Sequence, residues 1–153
     1  MRFSAIATAF FLLAACGETP PPCSSNARGP AAPSAGCLVQ AEGGVLLVQD
    51  WSGKWALPGG SVNTMESARC GAEREVYEET GLTVRAEALA TTFDNGFHLY
   101  WCAASSGVAP EIHRPLEIQK VAWLAPGLVP VSSWRYPGQG ETIAALIAGQ
   151  MAQ

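Results

Sequence analysis

The sequence predicts a single α/β domain behind an amino-terminal leader and a short linker. Three observations predict it. Residues 37–49 form two apolar runs broken by Glu42-Gly43-Gly44; residues 66–80 lie between a capping pattern and Gly81; and Ile143, Leu146, Ile147 and Met151 recur at helical spacing near the carboxyl end. At 153 residues the chain is long enough for one sizeable core and short for two. Charged residues make up 14% of it, well below the roughly one quarter of an average protein, which excludes a long disordered charged chain. The net charge of −4 argues against a nucleic-acid partner. Of thirteen Asp and Glu residues, five (Glu66, Glu73, Glu75, Glu78, Glu79) fall within fourteen positions, which marks a cation site.

Taken in order, the chain opens with Arg2 and an apolar run from Phe3 to Leu13, then Ala14-Ala15-Cys16-Gly17. An eleven-residue run is too short to cross a bilayer, which takes about 20, so residues 1–15 read as a signal peptide. Residues 17–36 hold five Pro, three Gly and three Ser with no apolar periodicity. With Cys16 they read as a tether (16–36), spanning about 25 Å as a coil and about 60 Å fully extended. The folded domain is expected over 37–153.

Within that domain a Trp51–Lys54 turn leads to a short extended Trp55–Leu57, stopped by Pro58-Gly59-Gly60. Asn63 followed by Glu66 resembles a capping box, and Gly81 suits a left-handed helix end, so a helix is expected from about Glu66 to Thr80. Leu82–Phe93 and Phe97–Ala104 are strand-like around an Asp94-Asn95-Gly96 turn, and Glu117–Leu124 is a further strand. Residues 140–151 close the chain as an amphipathic helix. Cys23, Cys37, Cys70 and Cys102 are an even set in a chain that reads as exported, so at least one disulfide is expected, with all three complete pairings open. No spacing among them suits zinc, and neither His98 nor His113 makes a recognisable base for a catalytic thiol.

The chemistry concentrates on the first helix. At 100° per residue Glu75, Glu78 and Glu79 lie at about 0°, 300° and 40°, on one side. Crowded carboxylates repel one another until hard divalent cations take up their oxygens, and an oxygen-only donor set points to Mg²⁺ or Mn²⁺. Cys70 and Tyr77 lie opposite and read as bridging or packing residues.

Residues 60–82, GSVNTMESARCGAEREVYEETGL, place Gly, Glu, Arg-Glu, Glu-Glu and Gly at the spacing of the Nudix box without a departure. The chain resembles the Nudix hydrolases, and the resemblance covers roughly 37–150. It implies an α/β/α sandwich with a mixed sheet, and Mg²⁺- or Mn²⁺-dependent hydrolysis of a diphosphate linkage in a small molecule of the nucleoside-diphosphate or lipid- or sugar-diphosphate type. It further implies that Glu78 and Glu79 are the main metal ligands, that Glu75 is a ligand or catalytic base, and that Arg74 orients Glu75. The Gly59 carbonyl would be a further ligand, while Glu66 would support the loop and helix start. Glu117 lies in a stretch that resembles the strand following the box and is a candidate ligand, and Arg135 is a candidate phosphate contact. Trp55, Phe93, Phe97, Tyr100 and Trp134 are candidates to line a substrate pocket.

Leu13-Ala14-Ala15-Cys16 resembles the lipobox of bacterial lipoproteins. That resemblance implies lipidation of Cys16, a membrane partner and a place on the periplasmic side of the cell envelope, with the outer membrane favoured because Gly17 is not Asp. Two other readings of the chain are a catalytically idle Nudix domain serving as a binding lipoprotein, and a cytosolic nucleotide-sanitising pyrophosphatase. Against the first stands the presence of all three box glutamates. The oligomeric state is not legible in the sequence.

Overall fold

The computed structural model describes residues 19–24, 29–41, 44–105 and 107–151. The leader and Cys16 lie outside the described residues. Among the described residues, seven strands and two α-helices follow one another as β1 (Ser34–Ala41), β2 (Gly44–Asp50), β3 (Trp55–Ala56), β4 (Gly59–Ser61), α1 (Ala68–Thr80), β5 (Val84–Thr92), β6 (Phe97–Ala104), β7 (Ile118–Leu124) and α2 (Gln139–Met151). Two short 3-10 turns, Pro126–Leu128 and Val131–Ser133, fill the connection before α2.

β1 organises the sheet. Its first half pairs antiparallel with β4 and its end with β2, while its other edge runs parallel to β6, with Ser34 opposite Phe97 and Val39 opposite Cys102. β5 extends β6, and β3 and β7 flank β2, all antiparallel. The sheet is therefore mixed, as expected.

Period-two alternation along the strands sends neighbouring residues to opposite faces, and each face has its own helix. Cys37, Val39 and Leu46 pack with Ala68, Ala72 and Val76 of α1. Leu38, Val45 and Leu47 pack on the other face with Ile143, Leu146 and Ile147 of α2. The small side chains of Ala68 and Ala72 bring α1 close to the sheet, and close approach is what carries its carboxylates over β4. These two layers on one sheet make the α/β/α sandwich that the sequence predicted.

Three local details differ from the sequence expectation. Helix α1 begins at Ala68 rather than at Glu66, because the Ser67 side chain accepts the Cys70 N–H and serves as the N-cap. The Asn63–Glu66 pair still forms half of a capping box, with the Asn63 N–H on Glu66 Oε2 at 2.9 Å, but one turn ahead of the helix. Gly59-Gly60, read as a strand stop, is itself a short strand against β1. Met151, counted on the apolar stripe of α2, is exposed. The other end of α1 is as expected: Gly81 adopts φ 69° and its N–H bonds the Tyr77 carbonyl.

Two disulfides select one of the three open pairings. Cys37–Cys102 joins β1 to β6 beneath α1, and Cys23–Cys70 fastens the segment before β1 to the helix itself. Ser24 adds two hydrogen bonds to the Glu73 carboxylate, which also accepts the Ala86 N–H of β5. Thus part of the segment read as tether lies against the domain, and β1 starts three residues before position 37.

Candidate active site

Glu75 and Glu79 are buried and Glu78 nearly so, all on the side of α1 that faces β4 and the loop leading into β7. The close fit of β4 is visible at Gly60, where an added Cβ would stand 2.6 Å from the Glu75 carboxyl carbon. Any larger residue there would displace the carboxylate.

Two guanidinium groups divide the carboxylates between them. Arg74 Nη1 donates to Glu75 Oε1 at 2.6 Å and to Glu78 Oε2 at 3.3 Å. Its remaining donors go to both oxygens of Glu66 at 2.9 Å and to the Ser61 carbonyl at 2.7 Å. Burial works to raise the Glu66 carboxyl, but hydrogen bonds from Arg74 and the Asn63 N–H prevail and hold it below the usual range. Glu66 thus holds Arg74, and Arg74 in turn bonds Glu75.

Arg114 was not anticipated. It reaches in from the loop between β6 and β7, bonding Glu75 Oε2 at 3.4 Å and Glu78 Oε2, with Glu117 Oε2 at 3.6 Å. No spacing in the sequence links it to residues 75 and 78, because the contact exists only once the loop has docked. Glu117 itself is largely exposed and reaches the cluster through Arg114.

Glu79 is different from its neighbours. Its Oε2 accepts the Gly59 N–H at 3.0 Å, and among the described residues no arginine bonds it. Burial, reinforced by the charges of Glu75 and Glu117 and opposed by the Gly59 N–H and by Arg135, pushes its carboxyl up to about 8. A buried carboxyl held partly neutral by lack of a counter-charge is a group that gains from a cation.

Among the described residues no three Asp, Glu, His or Cys side chains are gathered into a ready metal cage. The reason is visible in the contacts: Glu75 and Glu78 are spent on arginines and Glu79 on a backbone N–H. The residues nevertheless fit a divalent ion. All the donors are oxygens from one helix side, the Glu79 charge is under-compensated, and the Arg114 guanidinium already stands as a cation between Glu75 and Glu78.

Beside Glu79 opens a cavity of about 410 Å³. Gly59, Gly60 and Glu79 line it together with Phe93, Phe97, Arg135 and Tyr136. Arg135 is placed by its N–H on the Trp55 carbonyl at 2.8 Å and by Asp50 Oδ2, 3.6 Å from its Nε. Of the aromatic candidates, Phe93 and Phe97 line the cavity. Tyr100 and Trp134 are core residues, and Trp55 packs against the α2-side core rather than into the cavity. Sequence reasoning missed Tyr136 and Gln139; the latter lines the cavity with its Oε1 buried and without a hydrogen-bond partner.

A family model of the NUDIX domain matches residues 30–146. The chain belongs to the Nudix family. A MutT-like protein of Streptomyces ambofaciens is 33% identical over 98 residues, which covers 60% of this chain and 62% of that protein. The chain thus spans about three-fifths of the length of this curated relative. Among solved structures, an ADP-ribose pyrophosphatase from Streptococcus suis superposes with a TM-score of 0.64 at 23% identity, over 76% of this chain and 90% of that one. A NUDIX hydrolase from Nitrosomonas europaea reaches 0.66 at 21% identity, over 78% and 90%. At such identities the structural likeness is one of fold, and it agrees with the sandwich described above. Nudix box residues 60–82 therefore run from β4 through the loop and α1 to Leu82, and the three box glutamates share one site.

Proposed function

We propose that the protein is a Nudix pyrophosphohydrolase that cleaves a diphosphate linkage in a small molecule, using Mg²⁺ or Mn²⁺ held by Glu75, Glu78 and Glu79 with the Gly59 carbonyl. The observation that carries this reading is the gathering of three box carboxylates on one side of α1, Glu75 and Glu78 bridged by Arg74 and Arg114 and Glu79 lining a cavity that also holds Arg135. A divalent ion bound there would neutralise the diphosphate and activate a water.

The chain's own residues supply the rest. Arg74, fixed by Glu66, keeps Glu75 in place, and Glu75 would assist in removing a proton from water. Arg135 lines the same cavity as Glu79 and would grip a phosphate oxygen there. Phe93, Phe97 and Tyr136 offer flat apolar surface to the group attached to the diphosphate, whether nucleoside, sugar or lipid.

We further propose that Cys16 is lipidated and holds the domain on the periplasmic side of the envelope. Two disulfides in a domain this small support an oxidising compartment. Six residues separate Cys16 from Cys23, so the bond to Cys70 would keep α1 within about 24 Å of the anchor.

The experiment that tests the enzymatic reading is a phosphate-release screen of the purified protein with Mg²⁺ and with Mn²⁺. It covers nucleoside di- and triphosphates, nucleotide sugars, dinucleotides and isoprenyl diphosphates. Metal-dependent turnover of at least one class is expected; no turnover of any would contradict the assignment and favour a binding role.

A further inference from the structure

We propose that Arg114 is the site's resident counter-cation: it bridges Glu75 and Glu78 while no divalent ion is bound, competes with that ion for both carboxylates, and is released to the substrate's diphosphate when the ion enters. This rests on the metal-dependent reading above.

The two arginines of the site are held in different ways. Arg74 is locked, with a side chain 16% exposed and its donors distributed over Glu66, Glu75, Glu78 and the Ser61 carbonyl. Arg114 is 34% exposed, and among the described residues its guanidinium pairs with carboxylates alone: Glu75, Glu78 and, at 3.6 Å, Glu117. Remove the free carboxylate oxygens and Arg74 keeps Glu66 and Ser61, whereas Arg114 keeps only the loose contact to Glu117.

The backbone under Arg114, in contrast, is fixed. The Glu111 and His113 N–H groups cap the carbonyls of Thr80 and Glu79 at the end of α1, at 2.8 and 3.3 Å. The His113 ring meets Tyr77 edge-on, with centroids 5.3 Å apart, and lies so close to Gly81 that a Cβ there would stand 2.6 Å from its Nε2. The Arg114 carbonyl accepts from Glu117 and Ile118, and Trp51 Nε1 donates to the Pro115 carbonyl at 3.1 Å. A loop held by these contacts thus presents to the site a guanidinium whose ion pairs are to Glu75, Glu78 and Glu117.

Charge and geometry then set the order of events. The Glu75 and Glu78 oxygens that Arg114 uses cannot at the same time face a dication, and two cations cannot share that position without mutual repulsion. An entering ion therefore displaces the guanidinium. Once displaced, its planar fork matches phosphate oxygens, and the docked loop confines it to the neighbourhood of the substrate.

The test uses the purified full chain and two ligands: Mn²⁺, followed by the loss of its free-ion electron paramagnetic resonance signal, and methylene diphosphonate, a non-hydrolysable diphosphate, titrated at saturating Mn²⁺. Arg114→Ala should bind Mn²⁺ about tenfold more tightly than wild type and the diphosphonate about tenfold more weakly, since the variant loses both a competitor for two carboxylates and a donor to the diphosphate. A residue that merely supported the fold would weaken both. Arg114→Lys keeps the charge but cannot bridge two carboxylates with one fork, so it should move both affinities in the same directions by less, and it decides the matter if the alanine variant does not fold. Unchanged or weaker Mn²⁺ binding by the variants, or unchanged diphosphonate binding, would overturn the proposal. A different outcome, equal Mn²⁺ binding by wild type and Glu79→Gln, would remove the metal-dependent reading and this proposal with it.

Discussion

Gly59 donates its N–H to Glu79 Oε2 at 3.0 Å, joining the strand that starts the Nudix box to the glutamate near its end. It is the only hydrogen bond to the Glu79 carboxylate among the described residues, and it does not offset the cost of burial, since the carboxyl is raised to about 8.

A pH dependence of stability follows for the metal-free protein. Between about 4.5, the ordinary value, and about 8 the folded state holds a proton on Glu79 that the unfolded chain has released. The stability associated with that proton is complete below 4.5 and is lost as pH rises to 8. Denaturant unfolding in the presence of chelator should show the decline, on the order of a few kcal/mol at most. Glu79→Gln should flatten it. A slope of the same size in the variant would assign the effect to another group.

Glu73 illustrates what the sequence conceals. In sequence it belongs to the acidic cluster, yet it points away from the site and accepts Ser24 N–H and Oγ–H and the Ala86 N–H. Glu73→Ala would leave the buried Ala86 N–H unpaired and cost about 1–3 kcal/mol in chemical denaturation, with kcat and metal affinity nearly unchanged. A large loss of metal affinity would instead make it part of the site.

The carboxylate helix was legible because helical periodicity and box spacing are local properties, and so were the two strands around Asp94-Asn95-Gly96. What the sequence did not carry were pairings made only by tertiary docking. Arg114 is 36 residues beyond Glu78, and its placement depends on a loop capping the end of α1. The disulfide pairing has the same character, since β1 and β6 are neighbours only through a parallel crossover. Tyr100 and Trp134 were candidates for a pocket because aromatic residues suit both roles; burial against opposite faces of the sheet decided for the core.

The bond between Cys23 and Cys70 anchors a segment rather than the core. Cys23→Ser together with Cys70→Ser should lower stability by about 2–4 kcal/mol at most, and turnover at moderate temperature should persist. Mass mapping of non-reduced peptides checks the pairing itself; Cys23 linked to Cys37 or Cys102 would contradict it.

Cys16→Ser should release the protein from membranes without abolishing the activity of the folded domain. Fractionation combined with labelling by a palmitate analogue checks this. Membrane association of the serine variant, with no label on wild type, would refute the anchor.

The most direct measurement for the account as a whole is turnover of the best substrate from the phosphate-release screen by Glu78→Gln and by Glu79→Gln at saturating Mg²⁺. Each amide keeps the size and one acceptor oxygen but removes a charge from a site whose task is to hold a divalent cation, so a loss of several orders of magnitude is expected with the fold intact by circular dichroism. Glu66→Gln, at a carboxylate that accepts from Arg74 and the Asn63 N–H, should lose much less. Wild-type rates for the Glu78 and Glu79 variants would contradict the proposed mechanism.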